Sequence, residues 1–252
     1  DEGGIYTLNA ARSFQTFVRE VDNLLVFDND AWRKTGESVE GGYDHINEEI
    51  VKRFGVLFGA GEIGEGDNIA ESVVDSSEII NTLSGGGVST VGYASEDVEM
   101  SSGGGGLLSR FSGGDDSSEM DSANTTNRIT SLVRKAALGR LTLPCEIDGA
   151  ERALLVMAGP SAHLNRKGIE RGRKWLEEQT GSMEVRGGDY PTNEPRVAAA
   201  VLLAGVHNVP RIKELQQVAI EAQDNIDDIR QESEDNLEQL VEDDDDELDP
   251  LF

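Results

Sequence analysis

Tyr43 and Asn47 stand four residues apart in GGYDHINEEIVKRF, a spacing that on a helix sets one side chain a turn above the other. An aromatic ring above a carboxamide can stack on a purine and hydrogen-bond its edge. Asn29 precedes them in FDND, and Glu71 and Asp75 follow in DNIAESVVDSSEI, just after the Gly-rich GEIGEGDN. A carboxylate beside such a loop can polarise a water for attack on a phosphoryl group. Base-reading groups at one end of a helical run and acids at the other do not form one self-contained site. They make sense if the two ends serve two different nucleotides, one in each neighbouring subunit of a polymer.

Each of these residues also has a plainer reading. Tyr43 can pack at a helix start beside a solvated Asn47, and Asn29 can serve a turn, because asparagine tolerates the left-handed conformation. Glu71 and Asp75, one helical turn apart, can simply complement the positive end of a helix dipole. Elsewhere the pattern excludes chemistry. His45, His163 and His207 have no ligand-like spacing to one another or to Cys145, which argues against a zinc site. GPSAH at 159–163 is not a nucleophile elbow, and SGGGG lacks the lysine of a phosphate loop. Arg166, Lys167, Arg171, Arg173 and Lys174 make a basic helix, read first as a solvated face and second as a dock for the acidic side of a neighbouring subunit.

The elements that must position the candidates follow from periodicity. A helix is expected over 5–21, a buried strand over 23–28, and a helix from Tyr43 to about Gly59, started by Gly41-Gly42 and ended by Gly59 and Gly61. Ile46, Ile50, Val51, Phe54, Leu57 and Phe58 make that helix apolar around much of its circumference, hence central. Beyond the loop at 61–68, helices are expected over 70–83, 128–141, 164–181 and from 209 to 231, and strands over 87–95, 149–160, 182–191 and 194–206. Residues 96–126 read as a flexible insertion rich in Gly, Ser and acids. The C-terminal residues lack the apolar content to offset the entropy of ordering.

The 252 residues carry 22 Lys+Arg against 49 Asp+Glu, a net charge of −27. Such a surface repels nucleic-acid backbones and anionic lipids, so neither is an expected partner. The acids extend well beyond the EDDDDELDPLF terminus, which favours adaptation to a high-salt cytoplasm, with folding and assembly needing molar KCl. A lone Cys145 fits a reducing compartment, and no apolar run is long enough for a membrane span. The chain opens on Asp1 almost directly into a helical pattern, so an upstream segment is expected.

Taken together and in order, VDNLLVFDND, YDHIN, GAGEIGEGDNIAESVVDSSEIINTLSGGGVSTVGYA and GAERALLVMAGP resemble the tubulin/FtsZ superfamily, with the closest likeness to the CetZ group of haloarchaeal cytoskeletal proteins. The resemblance implies that Asn29, Tyr43 and Asn47 contact guanine, that Arg12 lies beside the nucleotide, and that Asn68 belongs to a synergy loop. The family's acidic positions fall here on Ala70 and Val73, so the catalytic role is assigned to Glu71 or Asp75 without a choice between them. GTP or GDP is the implied ligand, with Mg2+, although the family's GGTG phosphate loop does not occur in this sequence. The fold so implied is α/β. A partial nucleotide-binding domain ends in the central helix (1–60), a two-layer α/β sandwich C-terminal domain follows (61–220), and a disordered acidic tail closes the chain (221–252). The implied function is a cytoplasmic, tubulin-like GTPase that stacks head to tail, hydrolyses GTP between subunits and controls archaeal cell shape, its tail free for protein partners. The alternatives are a non-hydrolysing filament scaffold of the same group, or an unrelated acidic α/β metabolic enzyme or adaptor.

Overall fold

The computed structural model describes residues 4–34, 36, 39–60, 74–99, 116–182 and 184–245. In chain order the helices are α1 (Gly4–Glu20), α2 (Asn29–Trp32), α3 (Val39–Ala60), α4 (Ser76–Leu83), α5 (Asp116–Leu138), α6 (Arg166–Thr180) and α7 (Pro210–Asp245). The strands are β1 (Leu24–Leu25), β2 (Val88–Asp97), β3 (Arg152–Gly159), β4 (Glu184–Pro191) and β5 (Arg196–Ala204). They form one mixed sheet in the order β1-β2-β5-β3-β4. The β1–β2 and β3–β4 pairs are parallel, and β5 runs antiparallel to both β2 and β3.

Strand alternation sends side chains to two differently covered faces. On one face Val91, Leu154, Val156, Ala200 and Leu202 pack with Leu57 and Ala60 of α3, Ile79 of α4 and Val74. On the other, Leu155 meets Gly172 of α6, and Gly92 lies against Ala136 of α5. Each fully buried leucine here contributes about 2 kcal/mol of transfer free energy. The mixed α/β fold expected from sequence thus forms, and α3 with α4 supplies a further layer over the sheet. α6 is closed at both ends: Asn165 accepts a hydrogen bond from the Gly168 N–H at 2.7 Å, and Gly181 ends the helix at φ 67°.

Two compact units result, one from residues up to Arg19 with those from Pro210 onward, the other from Glu20–Val209. In the first, Leu8 packs with Ala219 and Ala222, and Ala11 lies against them. The second holds the sheet and α2 to α6. Within the second, α3 shares its core with the sheet.

Several expected elements change length. β1 covers only two residues of the strand expected over 23–28. α5 begins at Asp116, inside the stretch expected to be a flexible insertion to 126. The Thr126 hydroxyl, in the stretch expected as loop, bonds back to the Ser122 carbonyl at 2.9 Å, as the Thr130 hydroxyl does to the Thr126 carbonyl in the expected helix. α7 runs to Asp245, past the helix end expected at 231. Pairs one turn apart support it, among them Gln223 with Asp227 at 3.0 Å and Arg230 with Glu234 at 3.6 Å. Residues 61–73, which include the expected loop 61–68, lie outside the described residues, as do 100–115 and 246–252.

Candidate functional site

Asn29 opens α2, a helix of four residues that cannot hold itself in place. Its anchors are lateral. The Asp28 side chain accepts from the Asp30 N–H at 3.1 Å, and the Asp28 N–H donates to the Thr142 carbonyl at 2.8 Å. Trp32 is buried and donates its indole N–H to the Leu141 carbonyl at 3.2 Å. Asp28 therefore does the capping, and Asn29 sits exposed at the first helical position. The left-handed turn reading of Asn29 does not hold, since no described non-glycine residue has a positive φ.

Tyr43 and Asn47 project from the N-terminal part of α3, both exposed, with 45% of Tyr43 open to solvent. Below them α3 turns inward: Ile46, Leu57 and Ala60 are buried, and so is Arg53 at 3% exposure. The Arg53 guanidinium lies 4.2 Å from the centre of the Trp32 ring, so α2, which carries Asn29, packs on α3, which carries Tyr43 and Asn47 further up.

The carboxylate end differs from expectation. Asp75 is not within a helix spanning 70–83. It precedes α4 with extended backbone, and its side chain accepts from the Glu78 N–H at 3.0 Å and the Ser77 hydroxyl at 2.5 Å. An aspartate so placed satisfies an otherwise orphaned helix N–H and stops the helix from extending backward. The Ser77 hydroxyl first, then the Glu78 N–H, hold its pKa below the usual value, which opposes proton abstraction. Glu71 and Asn68 lie outside the described residues. Val74 packs with Leu57 and Ala60, so Asp75 adjoins the C-terminal end of α3. At a rise of about 1.5 Å per residue, Asn47 stands about 20 Å up the helix from Ala60. Among the described residues, no single compact site joins Asp75 to Tyr43 and Asn47.

Arg12 belongs to the unit of α1 and α7, where it donates to the Gln223 side chain at 2.5 Å. Of the basic residues of α6, Arg173 turns inward and donates to the Val185 carbonyl at 2.7 Å, while Arg166 pairs with Glu170 at the surface at 2.8 Å. Among the described residues no group of three metal-ligating side chains gathers, and no helix is long and apolar enough to cross a membrane.

Sequence reasoning missed three polar residues that the structure makes prominent. Glu78 keeps one carboxylate oxygen buried without a hydrogen-bond partner, and burial, then repulsion from Asp75, raises its pKa. Its spacing from Asp75 is that of a capping box, a signal present in the sequence. Arg53 and Glu49 pair at 2.6 Å inside an apolar helix face, where only the i,i+4 spacing announces them. Burial pushes Glu49 upward, but hydrogen bonds from Lys52 and Arg53 outweigh it and leave its pKa below the ordinary 4.5. A lowered folded-state pKa means stability present above the unfolded value and lost as pH falls through the folded one. The stability gap between wild type and Glu49→Gln is therefore expected to close as the pH falls below the ordinary 4.5 and through the lowered folded-state value, in denaturant titrations. A gap that widens there contradicts the assignment.

Comparison with solved structures gives the class. The GDP-bound monomer of CetZ1 from Haloferax volcanii matches with a TM-score of 0.71 at 74% identity, over 88% of this chain and 57% of that one. The GTPγS-bound protofilament of CetZ2 from the same organism matches at 0.72 and 40% identity, over 90% of this chain and 59% of that one. The fold is tubulin-like.

The family model for the tubulin-like CetZ C-terminal domain matches residues 36–221. Tubulin-like protein CetZ1 of H. volcanii is 81% identical over 234 residues, which is 92% of this chain and 59% of the relative's length. The chain belongs to the CetZ family of tubulin-like proteins. It spans less than two thirds of the length of these relatives.

Proposed function

We propose that the protein is a cytoskeletal GTPase that polymerises head to tail, with each nucleotide held by one subunit and attacked with help from the next, and that it acts in the cytoplasm in control of archaeal cell shape. The observation that carries this reading is the separation along α3 between the base-reading residues and the end beside which Asp75 lies. Exposed Tyr43 and Asn47 stand about 20–25 Å along α3 from Ala60, against which Val74, next to Asp75, packs. A group of one subunit that completes the site of another is a heterologous contact, and such contacts propagate into filaments. The relatives bound to GDP and GTPγS, one of them a protofilament, support both the ligand and the assembly.

Within this reading Tyr43 stacks on the guanine, and Asn29 and Asn47 bond its edge. All three are exposed on elements that pack together, which fits a flat base. The phosphates and Mg2+ are assigned to no residue of this chain, and Arg12 keeps only the weak role that family resemblance gives it. In the synergy loop, where Asn68 lies, the catalytic carboxylate is Glu71 or Asp75. The commitment of Asp75 to its helix cap turns the assignment toward Glu71. Tyr43→Ala tests the base half. Loss of one base-stacking ring is expected to weaken GDP binding by about 1–3 kcal/mol in a calorimetric titration of the intact protein. The melting temperature stays near wild type, because the ring is not part of the core. Unchanged GDP affinity contradicts the reading.

A further inference from the structure

Arg53 is nearly enclosed, yet its Nε atom has no hydrogen-bond partner. Its other nitrogens are directed. Nη1 donates to the Glu49 carboxylate at 2.6 Å and to the Glu49 carbonyl at 3.0 Å, and Nη2 to the Arg140 carbonyl at 3.3 Å. The guanidinium lies 4.2 Å from the Trp32 ring centre and 5.7 Å from that of Tyr93 on β2. A second guanidinium, that of Arg140, lies 5.0 Å from the same indole. A buried arginine with an unsatisfied donor is a costly way to fill a helix face, and a methionine would fill it without that cost. What the arginine adds is direction. It fixes the one large side chain of α2 against α3, while the Leu141 carbonyl fixes the indole N–H.

We propose that Arg53 is a positioning residue for guanine selection: through the Trp32 ring it sets where α2 lies on α3, and so where Asn29 meets the base edge that Tyr43 and Asn47 approach from α3. This rests on the reading of Asn29 as a base contact. α2 has one turn, and Asn29 lies three residues before Trp32, so a tilt of the indole moves Asn29 directly. A discriminating hydrogen bond tolerates little displacement, whereas stacking by Tyr43 tolerates more. The signature of the device is therefore a loss of selectivity between bases, greater than any loss of nucleotide affinity as such.

The experiment compares binding of GDP and ADP to the intact protein carrying Arg53→Met, Arg53→Lys, Asn29→Ala, and Arg53→Met with Asn29→Ala. Arg53→Met leaves Glu49 paired to Lys52 at 2.9 Å, so no buried charge is stranded and the melting temperature is expected to hold. Arg53→Met is expected to lower the GDP-over-ADP preference about tenfold, the effect of losing a desolvated cation–π contact. Arg53→Lys, which keeps the cation without the fork, recovers part of that loss. The double variant is no less selective than Asn29→Ala alone, because both act through one side chain. Should Arg53→Met not fold, Trp32→Phe, which loses the indole N–H anchor, carries the same comparison. Equal weakening of GDP and ADP, unchanged preference, or additive losses in the double variant overturn the positioning role. An Asn29→Ala protein with wild-type preference overturns the base contact itself.

Discussion

Glu71→Ala is expected to lower GTP turnover in assembled filaments by about a hundredfold or more, the contribution of one positioned general base. Asp75→Ala is expected to leave turnover per assembled subunit near wild type and to lower the melting temperature by a few degrees, since it removes the cap of α4. Phosphate release measured alongside light scattering separates chemistry from assembly. The asymmetry between the variants is the informative quantity. Asp75 already accepts from Ser77 and from the Glu78 N–H, and a carboxylate whose lone pairs are engaged and whose pKa is depressed takes a proton poorly. If Asp75→Ala is the silent catalyst and Glu71→Ala turns over normally, the roles are reversed. If both turn over normally in filaments, the catalytic assignment fails and a non-hydrolysing scaffold takes its place.

Gly92→Ala is expected to cost about 3 kcal/mol or more, at the upper end for overpacked interiors. A methyl group there would sit 2.0 Å from the Ala136 carbonyl oxygen and 2.9 Å from a Leu141 methyl. The first contact is backbone, so no rotamer relieves it, and α5 would have to lift from β2. That displacement also disturbs the segment after α5, where Leu141 and Thr142 receive Trp32 and the Asp28 N–H. The variant is therefore expected to weaken guanine nucleotide binding as well as stability. Denaturant unfolding with and without GDP checks both. A cost below about 1 kcal/mol would mean that the α5–β2 contact yields easily.

Periodicity made much of this architecture legible. The apolar spacing of Ile46, Phe54, Leu57 and Phe58 marks α3, and the continuous runs in β3 and β5 mark strands buried on both faces. What periodicity could not carry was any feature decided by a single side chain's partner. The Asp75 carboxylate reads equally as catalyst or cap until its acceptor geometry is seen. Arg53 on an apolar face gives no sign of which ring it meets, because Trp32 is distant in sequence and Arg140 more so. Thr126 sits in a stretch that reads as loop, yet it lies in α5 with its hydroxyl bonded to the Ser122 carbonyl. For the candidate site, the Tyr43–Asn47 spacing conveyed a face, while the anchoring of Asn29 rests on long-range contacts with Thr142, Leu141 and Arg53.

The central claim is that each hydrolytic site is shared between two subunits. It is tested most directly by mixing two inactive intact proteins, one carrying Glu71→Ala and the other Tyr43→Ala with Asn47→Ala. In a mixed filament a junction can pair the nucleotide of the first with the Glu71 of the second. Phosphate release from the mixture is then expected to rise clearly above the sum of the separate proteins and to peak near equal proportions. Release equal to that sum at every ratio, with co-assembly verified by sedimentation, would place base and carboxylate in one subunit and contradict the shared site.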